Sequence, residues 1–330
     1  MTSLWLDFQN AFSHPATVGM VIGVVGVLAL SALIIAVLKK THSVSASHIE
    51  ELIARTKSWA IIVPVILLPL LAGSRWVIIA ITILSLLCYR EYSRMTGLFR
   101  ERMVSAAVVI EIVALCFASL DNWQRLFEAL VPIGIALIAM VAIMKDQPSG
   151  YIQRVSLAIF GYLLIGYGLG HLGFLANDAL GRPMILMLLV CVQLNDVFAF
   201  ICGRLLGRHK LAPNTSPGKT IEGSAGAVVL TTTLTAIVGH YVFKGTPLDS
   251  PFYLIVLGLI VSIVGQFGDL TLSSIKRDVG VKDSGVLIPG HGGLLDRCNS
   301  LLLVAPGFFY FVQYINGMDG RLPMHLLIGN

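Results

Sequence analysis

The chain has 330 residues, of which 56% are hydrophobic and only 12% charged, with a formal net charge of +5. That balance lies outside what a water-soluble core and surface use, so it excludes a soluble globular protein and leaves an all-α, polytopic integral membrane helical bundle. The positive excess is a topology signal and not the footprint of a nucleic-acid binder.

A transmembrane helix needs roughly 20 largely apolar residues. The sequence supplies ten such stretches, at about 17–38, 57–72, 75–90, 103–119, 127–144, 155–176, 183–203, 223–243, 252–270 and 299–316. The first is long, lacks a basic segment before it and ends in Lys39-Lys40 without a small-residue cleavage pattern, so it reads as an anchor rather than a removable signal peptide. Residues 39–57 then read as a short amphipathic helix on the cytoplasmic membrane surface, because Ile49, Leu52 and Ile53 share a helical face. Spans two and three are separated only at Ala72-Gly73-Ser74-Arg75. The expected organisation is an extra N-terminal span and linker over 1–56, an N-terminal transmembrane bundle over 57–180 and a C-terminal catalytic transmembrane domain over 181–330.

Lysine and arginine alternate between loops in a way that tests the span count. One set of loops carries Lys39, Lys40, Arg55 and Lys57; Arg90, Arg94, Arg100 and Arg102; Lys145 and Arg154; Arg204, Arg208, Lys210 and Lys219; and Lys276, Arg277, Lys282 and Arg297. The other carries only Arg75, Arg125, Arg182, Lys244 and Arg321. The rich set belongs in the cytoplasm, so both termini are expected outside, and in a bacterium the membrane is the inner one. Merging spans two and three would blur the split. The five cysteines lie within spans or at their cytoplasmic edges, with no CxxC or Cys/His metal spacing.

Ionisable groups at membrane depth are costly and mark partners or a task. Glu111 in the fourth span reads as a residue paired to a hydroxyl or backbone group, or as part of a transport path. Asn195-Asp196 lies in the seventh span, two to three turns before its cytoplasmic end; Asp196 is either a structural partner for Arg204 or part of a site. Arg204, Arg208, Lys210 and Lys219 follow, among glycines at 203, 207, 218 and 223, a composition suited to phosphate. Gly218-Lys219-Thr220 imitates the end of a P-loop, but Pro213 stands where its first glycine belongs and no buried strand precedes it.

The second polar loop, Phe267 to Ser300, starts with Asp269 and ends with Asp296 at adjoining helix ends. Two carboxylates facing Lys276, Arg277, Lys282 and His291 form a constellation able to hold Mg²⁺ against phosphate oxygens. Gly290, Gly292 and Gly293 let backbone approach a ligand without Cβ interference. A salt-bridged loop with no ligand is the plainer alternative.

Ser273, Lys276, Arg277, Lys282, Asp283, Gly285, Ile288, Pro289, His291, Gly292, Gly293, Asp296 and Arg297 together resemble the signature of the CDP-diacylglycerol synthase family, the phosphatidate cytidylyltransferases. Asn195-Asp196, Gly203-Arg204, Ser216-Pro217, Lys219-Thr220 and Glu222-Gly223 resemble its other polar segment, so the likeness covers roughly the C-terminal half. It implies a Mg²⁺-dependent membrane enzyme, with one cation or two, that joins CTP and phosphatidate into CDP-diacylglycerol and pyrophosphate, and it implies a homodimer in the bilayer. The family's metal-binding carboxylates fall on Asp269 and Asp296. Lys276, Arg277, Lys282 and Arg297 are then assigned to substrate phosphates, with Ser216 and His291 beside them; Lys219 and Arg204 face the triphosphate or the lipid headgroup.

The sequence departs from the signature at Asn299, where the family has Asp. Asp296 and Asn299 are three residues apart and share a helical face, so Asn299 is expected at the same metal, as an oxygen ligand without the negative charge. Three consequences stay open: a weaker or single metal, a different lipid phosphate, or lost activity. Other readings are a related CTP-using lipid or polyprenol kinase, a non-catalytic homologue and a transporter.

Overall fold

The structure, a computed structural model, describes residues 10–41, 45–285 and 292–317. Ten helices long and apolar enough to cross a membrane stand among these residues. They are α1 (Pro15–Thr41), α2 (Ala46–Ala72), α3 (Ser74–Met95), α4 (Arg102–Leu120), α5 (Gln124–Ile143), α6 (Tyr151–Leu175), α7 (Gly181–Leu206), α8 (Ile221–Val242), α9 (Pro251–Asp278) and α10 (Leu295–Asn316). Helices satisfy every backbone group within the segment, which hydrocarbon demands. The chain is an integral membrane protein.

The break between α2 and α3 falls where the sequence places it. Gly73 has φ 125°, a conformation that favours glycine, and its amide closes α2 on Pro69 O at 3.2 Å. The residues before span two behave differently from expectation. No separate surface helix forms at 46–57; this stretch is the first half of one continuous helix, α2. Nothing between Ala46 and Val63 breaks a helix, and the first proline in it is Pro64, so an amphipathic segment and the apolar span fuse.

Helices α1 and α2 leave their apolar windows uncovered by protein. Exposed Val25, Leu33, Ile61 and Leu68 on them make a lipid-facing surface, while α1 touches α2, α7 and α8. The core lies deeper, where Phe127, Tyr162, Phe174, Leu188 and Phe308 are fully enclosed. Two helices carry internal π turns, at Tyr162–Tyr167 in α6 and Ile260–Val264 in α9; such widened turns recur at functional sites.

Helices α7 and α8 cross at small residues. A Cβ on Gly223 would lie 2.8 Å from Gly203 Cα and 2.7 Å from Ala199 O, so only glycine permits this approach. The loop joining the two helices folds into an antiparallel hairpin of β1 (Lys210–Ala212) and β2 (Ser216–Thr220). Thr220 ends the hairpin and caps α8, its Oγ1 accepting from Gly223 N at 3.1 Å. Glu222 accepts from Arg208 N at 3.0 Å and from His209 Nδ1 at 2.6 Å, fixing the base of the hairpin.

Candidate active site

The site forms where the end of α9 meets the beginning of α10. Asp269 and Lys276 are seven residues apart on α9, two helical turns along one face. Asp296 and Asn299 occupy the first turn of α10, which begins at Leu295. The faces meet in two rungs: Asn299 Nδ2 donates to Asp269 Oδ1, and Lys276 Nζ stands 2.7 Å from Asp296 Oδ1. Gly268 makes the contact possible, since a Cβ there would come within 2.7 Å of Asn299 O.

Each carboxylate carries a lysine. Lys219, from β2, reaches Asp269 Oδ2 at 2.5 Å, so the hairpin is tied to α9. The four side chains are only 11–21% exposed; paired charges this sheltered from water interact more strongly than surface pairs, though the desolvation cost offsets much of the gain.

The two carboxylates differ in what remains available. A carboxylate offers about four lone-pair positions. Asp296 uses them on protein: Lys276 at Oδ1, and Ser284 N at 2.8 Å, Ser284 Oγ at 2.9 Å and Gly293 N at 3.2 Å at Oδ2. Asp269 uses two, on Lys219 and Asn299. Asn299 Oδ1 accepts from Ser300 N at 2.7 Å. Among the described residues, no three His, Cys, Asp or Glu side chains gather as a metal cluster. The set is nonetheless made of hard oxygen donors, and Mg²⁺ characteristically takes one or two carboxylates and completes its shell with water and substrate phosphate. The residues present therefore fit that ion, with Asp269 the freer ligand.

The remaining sequence candidates are placed unequally. Arg277 donates to backbone carbonyls, to Thr215 O at 3.4 Å and Val281 O at 3.2 Å, so it staples the hairpin tip to the end of α9. Arg297 is exposed on α10 and, with Asp269 and Lys219, acts electrostatically on Asp196. Asp196 is thus within electrostatic reach of these charges. Its neighbour Asn195 is fully buried and does structural work, its Oδ1 accepting from Thr231 Oγ1 at 2.9 Å and Ser262 Oγ at 2.6 Å. Ser216 is half-buried on β2; Arg204 and Lys282 are exposed and bonded to none of these groups. His291 lies outside the described residues. Glu111 is buried in α4, with Oε2 unpaired and packed against Gly134, away from these residues.

Sequence reasoning missed Glu91. This α3 residue is 4% exposed and touches the signature loop. No local pattern marks it, because its partners lie about two hundred positions downstream.

Residues 53–315 match the sequence profile described as the cytidylyltransferase family. The chain belongs to this family. It is 34% identical over 271 residues to "Uncharacterized protein YnbB" of Escherichia coli (strain K12), an alignment covering 80% of this chain and 88% of that protein. It is 32% identical over 254 residues to the phosphatidate cytidylyltransferase of Staphylococcus haemolyticus (strain JCSC1435), covering 75% and 94% respectively. The same figures hold for that of Staphylococcus aureus (strain COL). The match bears out the resemblance read from the signature, and the chain is a membrane nucleotidyltransferase. Helix α1 lies outside the matched region.

Proposed function

We propose that the enzyme joins CTP to phosphatidate, giving CDP-diacylglycerol and pyrophosphate, with Mg²⁺ as cofactor. The observation that carries this reading is the double rung across α9 and α10, which sets two carboxylates and two lysines at one helix junction. A phosphate oxygen of the lipid attacks the α-phosphorus of CTP, a new P–O bond forms, and the bond to the β-phosphate oxygen breaks as pyrophosphate leaves. The attacking phosphate is already ionised near neutral pH, so no general base is required. The demand on the site is to gather and neutralise phosphate charge.

Asp269, with Asn299 beside it, is the residue that would hold Mg²⁺ first, and Asp296 would join it by giving up a protein donor; the ion when bound would neutralise charge on the phosphates. Lys219 and Lys276 provide ammonium groups at those carboxylates for the triphosphate and the lipid headgroup. Arg277 keeps the hairpin against α9, and Arg297 and Lys282 offer exposed positive charge at the rim. By the positive-inside bias the site opens to the cytoplasm, and both termini face outward. The enzyme works as a homodimer in the bilayer.

The test is conversion of CTP and phosphatidate in detergent micelles with Mg²⁺, following lipid product and pyrophosphate. The native chain turns over, and Asp296→Asn loses about 10²–10³-fold, the scale of removing a preorganised electrostatic group. Full turnover in Asp296→Asn would sink the assignment.

Asn299 supports a second reading, a different lipid phosphate as acceptor. One negative charge is missing beside Asp269, so the tolerated acceptor charge differs from that of a site with Asp there. A panel of lipid phosphates in the same assay decides between them.

A further inference from the structure

We infer that Glu91 is a positioning residue for the reaction, through which the N-terminal helices hold the signature loop and Asp296 in place. The inference rests on the cytidylyltransferase chemistry proposed above.

Glu91 sits near the cytoplasmic end of α3, and its carboxylate reaches the beginning of α10. Oε1 accepts from Leu294 N at 3.0 Å, and Oε2 accepts from Leu295 N at 2.9 Å. Ser284 Oγ lies 3.1 Å from the same Oε2 and 2.9 Å from Asp296 Oδ2. One serine therefore stands between the buried Glu91 carboxylate and the Asp296 carboxylate. The first amides of a helix lack intrahelical acceptors; here a carboxylate from another helix satisfies two of them and fixes where the Asp296 turn begins.

The seam is tight on every side. A Cβ on Gly285 would lie 2.8 Å from Glu91 Oε1, and one on Gly293 would lie 2.6 Å from Oε2. One turn earlier on α3, the buried Cys88 thiol lies against Cys298, which precedes Asn299. Both flanks of Asp296, the loop before it and the helix after it, are thus gripped by α3. Two backbone amides donate to Glu91, and the single Ser284 hydroxyl proton serves either Glu91 or Asp296; all of these donors are neutral, so the contribution of Glu91 is geometry. A displacement of about 1 Å in a reacting group costs on the order of 10²-fold in rate, which makes such a clamp consequential.

The experiment is hydrogen–deuterium exchange on the full chain in detergent micelles, read at 292–300, together with kcat and KM for CTP on phosphatidate. Glu91→Gln keeps the volume but turns an NH₂ toward a donor. Exchange at Leu294 and Leu295 should then rise by about tenfold, the factor for one lost hydrogen bond, while α4 and α5 keep native rates. Turnover should fall by about 100-fold with KM for CTP changed far less, and Glu91→Asp, which keeps the acceptors, should recover part of kcat. Unchanged exchange at 294–295, loosening spread equally over α4 and α5, or native kcat despite faster local exchange would each overturn the inference. A native chain without activity on CTP and phosphatidate would sink the proposed reaction instead, and the exchange result would still decide whether Glu91 holds the loop.

Discussion

Asn299 Nδ2 donates a hydrogen bond to Asp269 Oδ1 across the α9–α10 junction. The residue that departs from the family signature is therefore in contact with one of the two carboxylates at this helix junction, and an aspartate there would meet Asp269 as a second negative charge.

Asn299→Asp should lose the donor and set two carboxylates together, a combination that favours the charged pair only when a cation sits nearby. In chelator the variant should be less stable than the native chain by about 1–3 kcal/mol, and Mg²⁺ should restore more stability to it than to the native protein. Thermal unfolding in detergent with and without Mg²⁺ checks this. Equal Mg²⁺ responses would mean that position 299 does not face the cation.

Lys219 ties β2 to Asp269 from the loop between α7 and α8, and removing it should affect substrate handling more than folding. Lys219→Met should lower kcat/KM for CTP by about 10²-fold, the size of a lost charged contact to phosphate, while melting stays near native because the hairpin keeps Arg277 and Glu222. Steady-state kinetics paired with a melting curve separates the two effects. A native kcat/KM would remove Lys219 from the site.

Gly268→Ala should push α9 and α10 apart. The new Cβ would meet Asn299 O at 2.7 Å and Ser300 Cα at 3.0 Å, both backbone atoms of a packed helix. Overpacking of this kind costs about 1–3 kcal/mol and would misalign the double rung, so stability and turnover should fall together. A variant that melts like the native chain would show that the junction is looser than these contacts imply.

Topology is checked by cysteine labelling in intact cells with a membrane-impermeant maleimide. Lys244→Cys, between α8 and α9, should label from outside; Asp146→Cys, between α5 and α6, should label only after the cells are opened. The reverse pattern would invert the orientation and move the site to the other face.

Much of the site was legible because its signal is local. Asp269, Lys276, Asp296 and Asn299 come from one continuous loop and its flanking helix ends, and the spacing within each helix puts each pair on one face. Asp196 and Lys219 were visible as polar residues in unusual places, yet only the fold shows that Lys219 pairs with Asp269 and that Asp196 lies within their electrostatic reach. Arg277 was legible as a cation but not as a staple, since its backbone partner Thr215 lies 62 positions away. The fusion of 46–57 with the second span was missed because surface amphipathicity and the start of a span look alike until the helix is seen to continue.

The sequence by itself determined the membrane class, the ten spans, the loop charge asymmetry and the family signature, because each depends on hydrophobic length, composition or short spacing along one chain. Only the tertiary structure decided which carboxylate is saturated by protein donors, where Asn299 points and that Glu91 grips Ser284 from 193 positions away. Those depend on which helices meet, and in a bundle where almost every helix is apolar, hydrophobicity fixes that each helix crosses the membrane but not which neighbour it packs against.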